Sequence, residues 1–151
     1  MIEIVEGDAT YIATIMPIMS DAFDPAFGEA WTAAQCLSAL AMPDCRLLVA
    51  KADDAVLGFS ISRWVLDTEE LLMIGVVKDR QRQKIGSLLL IETIKNATNG
   101  NRSQLFLECR DGNNAIDFYS NIGFEPVGRR KNYYNSEDGL RPDAITMSYI
   151  L

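Results

Sequence analysis

The sequence predicts an α/β sandwich built around a mixed sheet, and three observations predict it. Apolar residues make up 48% of the 151 residues, which argues against a disordered chain. A chain of this length fits one domain and can bury about 70% of its unfolded surface. Stretches with strand-like alternation interleave with stretches of helical periodicity, in the order β-α-α-β-β-β-α-β-α-β-β. Repeats, low-complexity tracts and linkers are missing from the pattern, so the expectation is a single domain over residues 1–151.

Ile2 to Val5 reads as a short strand. Asp8 caps a helix that runs to about Phe23, with Ile12, Ile15, Met16 and Met19 on one face. Asp24-Pro25 ends it, because proline has no N–H to continue the ladder. Thr32-Ala33-Ala34-Gln35 has capping-box spacing and starts a second helix to about Ala41, closed by Met42-Pro43-Asp44. Arg46 to Lys51 and Val56 to Arg63 form a hairpin around a turn at Ala52 to Ala55, and Glu70 to Val77 is the next strand. A helix from about Ile85 to Thr98 stops at Asn99-Gly100. Gln104 to Cys109 is a strand, Asn113 to Ile122 a helix closed by Gly123-Phe124. Pro126 to Asn132 and Ala144 to Ile150 are a final strand pair joined by a polar loop.

Composition excludes several functions. The formal net charge is −7, so gripping nucleic acid as the main task is not expected, since phosphate binding needs a basic surface. An acidic protein can still attract a basic substrate. The absence of histidine removes His triads, His metal sites and His pH switches. Cys36, Cys45 and Cys109 are odd in number and widely spaced, which suits reduced thiols in the cytoplasm. The start Met-Ile-Glu-Ile carries no signal-peptide pattern, and no apolar run approaches the roughly 20 residues of a membrane helix.

The most informative stretch is Gln81-Arg82-Gln83-Lys84-Ile85-Gly86-Ser87. It joins the apolar strand Leu71-Leu72-Met73-Ile74-Gly75-Val76-Val77 to the helix that begins near Ile85. The first amides of a helix have no partner inside it, and the helix dipole is positive there. A strand, a basic turn and a helix in that order make a site for phosphate or pyrophosphate.

This turn resembles the acetyl-coenzyme A turn of the GCN5-related N-acetyltransferases (GNAT). The later run Asn113-Asn114-Ala115-Ile116-Asp117-Phe118-Tyr119-Ser120-Asn121-Ile122-Gly123-Phe124 is similar to the same superfamily. A narrower resemblance, to the RimI type that acetylates ribosomal-protein N-termini, rests on Leu105 to Arg110, on Asn132-Tyr133-Tyr134 and on Asp143 to Met147. Trp31-Thr32 sits where that family has a Trp-Ser type helix start. The resemblance implies a GNAT fold: a mixed, mostly antiparallel sheet of six to seven strands flanked by about four helices.

It also implies roles for residues. Main-chain amides of Arg82, Gln83, Lys84, Ile85, Gly86 and Ser87 would hold the pyrophosphate of acetyl-CoA, and Asn113 would contact the same cosubstrate. Ile74, Gly75 and Val76 would pair with its pantetheine arm like a neighbouring strand. Gly75 is a candidate bulge or site of close approach, and an amide freed there would face the thioester oxygen. Glu108 would act as general base and Tyr119 as general acid toward the leaving thiolate. By strand alternation Glu108 shares a face with Phe106, opposite Leu105, Leu107 and Cys109. Trp31, Tyr133 and Tyr134 would wall the acceptor slot. Asp67, Glu69, Glu70, Glu137 and Asp138 are candidates for negative charge near a basic peptide.

Two departures stand out. Lys84 occupies a position where the family has glycine, and a lysine at positive φ costs about 1 kcal/mol. The segment between Arg110 and Tyr119 is one residue short, so the family asparagine falls at Asn113 counted from Glu108 and at Gly112 counted from Tyr119. Asn113 is preferred because it offers an amide, with Asn114 the alternative.

The implied activity is acetyl transfer from acetyl-CoA to the N-terminal alanine of a ribosomal protein of the S18 type, by direct attack. An α-amine of pKa about 7.7–8.0 needs only about 1.4 kcal/mol to lose its proton at pH 7, whereas a lysine near 10.4 needs more than about 4 kcal/mol. A ping-pong route through Cys109 is the less favoured course. Alternatives are a GNAT enzyme acting on a small-molecule amine or lysine, and a non-catalytic acyl-CoA sensor. A cytoplasmic monomer or weak dimer without metal, nucleic acid or membrane partner completes the expectation.

Overall fold

Two side-chain caps set where the first helices begin. Asp8 accepts a hydrogen bond from the Thr10 N–H at 2.9 Å and opens a 3₁₀ turn, Ala9–Tyr11, that runs into α1 (Ile12–Ala22). Thr32 and Gln35 form the expected capping box: the Thr32 N–H donates to Gln35 Oε1 at 2.7 Å, and the Gln35 N–H donates to Thr32 Oγ1 at 3.1 Å. It starts α2 (Ala33–Leu40). In α1 the buried stripe is Ile12, Ile15, Ile18 and Met19, and Met16 packs only at its margin. The apolar arc is wider than the four residues expected, and its centre lies toward Ile18.

The structure is a computed structural model, and it describes every residue except Arg82. Seven strands form one sheet: β1 (Glu3–Gly7), β2 (Cys45–Ala52), β3 (Ala55–Val65), β4 (Thr68–Val76), β5 (Gln104–Arg110), β6 (Glu125–Arg130) and β7 (Ala144–Ile150). Their order is β1-β2-β3-β4-β5-β7-β6. Neighbours are antiparallel except β4 and β5, which are parallel. Two further helices, α3 (Ile85–Asn99) and α4 (Ala115–Ile122), complete the mixed, mostly antiparallel α/β architecture.

The centre of the sheet is covered on both faces, which is why β2 reads as a continuous apolar run. Leu47 and Val49 pack with Phe59, Ile61 and α1, whereas Leu48 and Ala50 pack with Leu57 and the α3 residues Ile85 and Leu89. Farther along, Leu71, Leu90, Leu105, Leu107, Tyr119 and Met147 join α3, α4 and β5 in one cluster.

Two features of β4 position the site. Its pairing with β5 covers only Thr68↔Gln104, Glu69↔Leu105 and Glu70↔Phe106, although both strands run on, so the two part beyond Glu70. Its register against β3 slips between Ile61↔Met73 and Ser62↔Leu71, which makes Leu72 the extra residue. The bulge expected at Gly75 is therefore at Leu72. Gly75 stands in regular register opposite Phe59. Its lack of a Cβ answers another need: a Cβ would come within 2.9 Å of the Phe59 ring and 3.1 Å of Ala22 Cβ, where α1 crosses the strand.

Glu69 corrects a second expectation. Its side chain is fully buried, between Arg46 at 3.6 Å and Arg102 at 3.8 Å, and it accepts a hydrogen bond from Ser62 Oγ at 2.8 Å. Both guanidiniums lie over the Trp64 ring, at 4.6 and 4.2 Å from its centroid. A buried acid must find cations, and this one ties β2, β3, β4 and the end of α3 together rather than facing a peptide.

Candidate active site

Where β4 and β5 part, a cleft of about 1230 Å³ opens. At one end it is lined by the start of α3, at the other by the α1–α2 loop and the β6–β7 loop.

The α3 end carries donors without partners in the helix. The first intrahelical bond joins the Leu88 N–H to the Lys84 carbonyl at 3.0 Å, so the amides of Ile85, Gly86 and Ser87 are left to other acceptors. All three residues line the cleft, with Gln81 and Lys84. A Cβ on Gly86 would meet nothing closer than Phe118 at 3.5 Å, an ordinary contact. The protein itself does not demand glycine there, and the bare Cα leaves the helix terminus open to a ligand backbone or phosphate. Lys84 adopts the left-handed conformation, φ 67° and ψ 11°, as the residue preceding the helix. Exposed Gln83 is not among the lining residues, and Arg82 lies outside the described residues.

Ile74, Gly75 and Val76 line the cleft as expected, joined by Leu71, Leu72 and Met73. Beyond Glu70 this edge of β4 has lost its partner β5, so its backbone groups can pair with an extended ligand. Leu72 escapes a reading of the sequence, because a bulge inside an apolar run leaves the run unchanged. Asn113 also lines the cleft. Its Oδ1 accepts from the Ala115 N–H at 2.9 Å and so caps α4, which begins two residues later than expected.

At the other end Glu108 sits on the face of β5 opposite buried Leu107 and Cys109, as alternation predicts. Its carboxylate meets Arg130 Nε at 2.7 Å. Glu70 occupies the vertex where β4 and β5 part, with Arg63 at 3.8 Å. Burial raises the Glu70 carboxyl above its ordinary pKa, Arg63 opposes this, and the Glu108 charge adds to it. Tyr119 is buried among Phe118 and Phe124. Burial, then the nearby Cys109 and Tyr134, push its phenol well above the ordinary range. Burial lifts the Cys109 thiol to about 11.

Trp31, Tyr133 and Tyr134 all line this end, and the two tyrosine rings meet edge to face with centroids 5.0 Å apart. The two loops are tied across the cleft. The Glu137 N–H donates to the Ala26 carbonyl at 3.1 Å, joining the β6–β7 loop to the α1–α2 loop. Beneath this roof Arg110 Nε meets Glu29 at 3.1 Å, and its guanidinium lies 3.6 Å from the Phe27 ring centroid. Asp138 instead turns back on its own loop, accepting from the Leu140 N–H at 3.0 Å, and Asp67 accepts from Ser103 Oγ at 2.9 Å at the start of β5.

Sequence reading misses Arg130, Glu29 and the closeness of Glu70 to Glu108, near enough for the Glu108 charge to raise the Glu70 pKa. Arg130 reaches Glu108 only because β7 lies between β6 and β5, an order that no local pattern carries.

A family description, Acetyltransferase (GNAT) domain, matches residues 43–126. The chain is 35% identical over 99 residues to the [ribosomal protein bS18]-alanine N-acetyltransferase of Haemophilus influenzae, covering 66% of this chain and 68% of that one. The Escherichia coli enzyme of the same name is 41% identical over 91 residues, 60% of this chain and 61% of that one. The matched stretch thus spans about two thirds of the curated relatives' length. The crystal structure of the E. coli ribosomal-protein-S18-alanine N-acetyltransferase superposes with a TM-score of 0.90 at 30% identity, over 99% of this chain and 94% of that one. With the strand split, the open amides at α3 and the cleft between them in place, the chain belongs to the GNAT acetyltransferases.

Proposed function

We propose that the protein is a RimI-like N-terminal acetyltransferase of the cytoplasm, moving acetyl from acetyl-CoA to the N-terminal alanine of a ribosomal protein of the bS18 type. The observation that carries this reading is the roof over the acceptor end. A loop tied across a slot by the Glu137 to Ala26 hydrogen bond admits a chain end but hinders a continuous chain from lying through it. The names of the relatives and the basic character expected of such a peptide, beside Glu29, Glu70 and Glu108, point the same way.

Acetyl-CoA supplies the activated thioester. The residues present fit it: open amides of Ile85, Gly86 and Ser87 with the positive end of the α3 dipole suit its phosphates, and the bare edge of β4 suits an extended arm. The Leu72 bulge is where a β4 amide is released from the ladder, a suitable donor toward a developing oxyanion. The Glu108 carboxylate takes a proton from the acceptor ammonium, through water. The freed amine lone pair attacks the thioester carbon, the C–S bond breaks as Tyr119 gives its phenolic proton to the departing sulfur, and the second proton lost by the new amide nitrogen returns through water to the Tyr119 phenolate. Tyr119 suits that task because a phenol raised above about pH 10 stays protonated through the neutral range. Cys109 does not suit ping-pong transfer. A thiol at about 11 stays protonated near pH 7, and it faces away from Glu108.

The test is mass spectrometry of ribosomal-protein peptides, with free and blocked N-termini, after incubation with enzyme and acetyl-CoA. Acetylation confined to free N-termini supports the reading, and acetylation of lysine in blocked peptides overturns it. Glu108→Gln should lower kcat roughly 10²–10⁴-fold, the usual weight of a general base. Tyr119→Phe should lower kcat with coenzyme A affinity unchanged by calorimetry. Wild-type rates in either variant would remove that assignment.

A further inference from the structure

The base proposed above is already engaged. Glu108 meets Arg130 Nε at 2.7 Å, and the Arg130 guanidinium also lies 5.6 Å from the Tyr133 ring centroid. Arg130 ends β6, one strand beyond β7, and leads directly into the loop that carries Tyr133 and Tyr134. Glu108 pairs with Thr146 of β7, and Arg130 with Ala144 of β7, so the side chain spans β7 to reach the carboxylate. The Arg130 side chain is 62% exposed and that of Glu108 17% exposed. A half-solvated cation bonded to a mostly buried carboxylate stabilises the fold little. What it does fix is direction. Glu108 is a flexible side chain at a splayed strand, and a single ion pair at 2.7 Å biases where its carboxylate points.

We propose that Arg130 is a positioning residue for acetyl transfer. Its guanidinium couples the Glu108 carboxylate to the β6–β7 loop, so the base is set by the same loop that closes over the acceptor. The inference rests on Glu108 being the base. An acceptor entering beside Tyr133 then meets a carboxylate whose direction is already set. The other charged or titratable groups facing Glu108 are Glu70 from β4, with Arg63 of β3 behind it, and Tyr134 from the loop. Arg130 and Arg63 thus balance two carboxylates around the acceptor.

The experiment compares wild type, Arg130→Gln, Arg130→Lys, Glu108→Gln and the Glu108→Gln/Arg130→Gln double variant. It reads kcat and KM for a free-N-terminus peptide, and coenzyme A affinity by calorimetry. Arg130→Gln is expected to lower kcat at least about tenfold, within the range of coupled neighbours, with coenzyme A affinity unchanged. Arg130→Lys recovers part of the rate, since it restores the charge without the planar fork. In the Glu108→Gln background the Arg130→Gln change has no further effect. Unchanged kcat in Arg130→Gln would overturn the proposal. So would an equal fold-loss in the Glu108→Gln background, or a parallel loss of coenzyme A binding. A Glu108→Gln enzyme at the wild-type rate would overturn the base assignment itself and this inference with it, a result distinct from a silent Arg130 beside an essential Glu108.

Discussion

Lys84 is a lysine where the backbone asks for glycine. At φ 67° and ψ 11° its Cβ crowds the following carbonyl, at a cost of about 1 kcal/mol. Strain of this kind persists where surrounding structure over-determines it. Here α3 must begin at Ile85 for Ile85 and Leu89 to reach the core beneath β2. Asparagine tolerates this conformation, so Lys84→Asn should raise the apoprotein's stability by up to about 1 kcal/mol in a denaturant titration. The same variant should bind coenzyme A more weakly, most of all at low salt, while acetyl-pantetheine, which lacks the pyrophosphate, binds as before. Cys109 gives a second prediction at this scale. Cys109→Ala should keep most of the acetyltransferase activity in a thiol-release assay, because the thiol is buried and held protonated.

Among the elements, the β6–β7 loop depends on Asp143. Its Oδ1 accepts from the Asn132 N–H at 2.9 Å, and its Oδ2 accepts from Arg129 Nη1 at 2.7 Å, closing the loop at its base. The Asn132 hydrogen bond first and Arg129 second hold this carboxyl below its ordinary pKa. A lowered folded-state pKa stabilises fully above the unfolded value near 3.9, and the contribution is lost as pH falls through the lowered value. The loop base therefore stays shut across the working range of an enzyme near neutrality. Asp143→Asn should raise KM for peptide several-fold and speed proteolysis within residues 131–143, with coenzyme A affinity unaltered. Strand and helix limits were largely legible, because they depend on nearby residues: the capping box at Thr32, alternation in β5, and the stop at Asn99-Gly100. The displaced start of α4 and the Leu72 bulge were not. The first depends on an Asn113 side chain turning back to Ala115, the second on the register of β3 against β4.

For the molecule as a whole, the proposed choice of acceptor depends on segments distant in sequence that meet at one end of the cleft. Ala26 and Glu137 join across the cleft through one backbone hydrogen bond. Glu137→Pro deletes the donor. It should open the slot, lowering kcat/KM for free N-terminal peptides while lysines in blocked peptides gain measurable acetylation. A variant with the wild-type preference would show that the roof does not select the acceptor.

Local order in the chain was enough to announce the α/β class, the start of α3 near Ile85, and the face that Glu108 presents, since periodicity and caps act within a few residues. Folding alone decided that Glu69 is sealed between two arginines, that β4 bulges at Leu72, and that Arg130 meets Glu108 across β7. These outcomes depend on sheet order and strand register, which bring together side chains that have no relation of spacing along the chain.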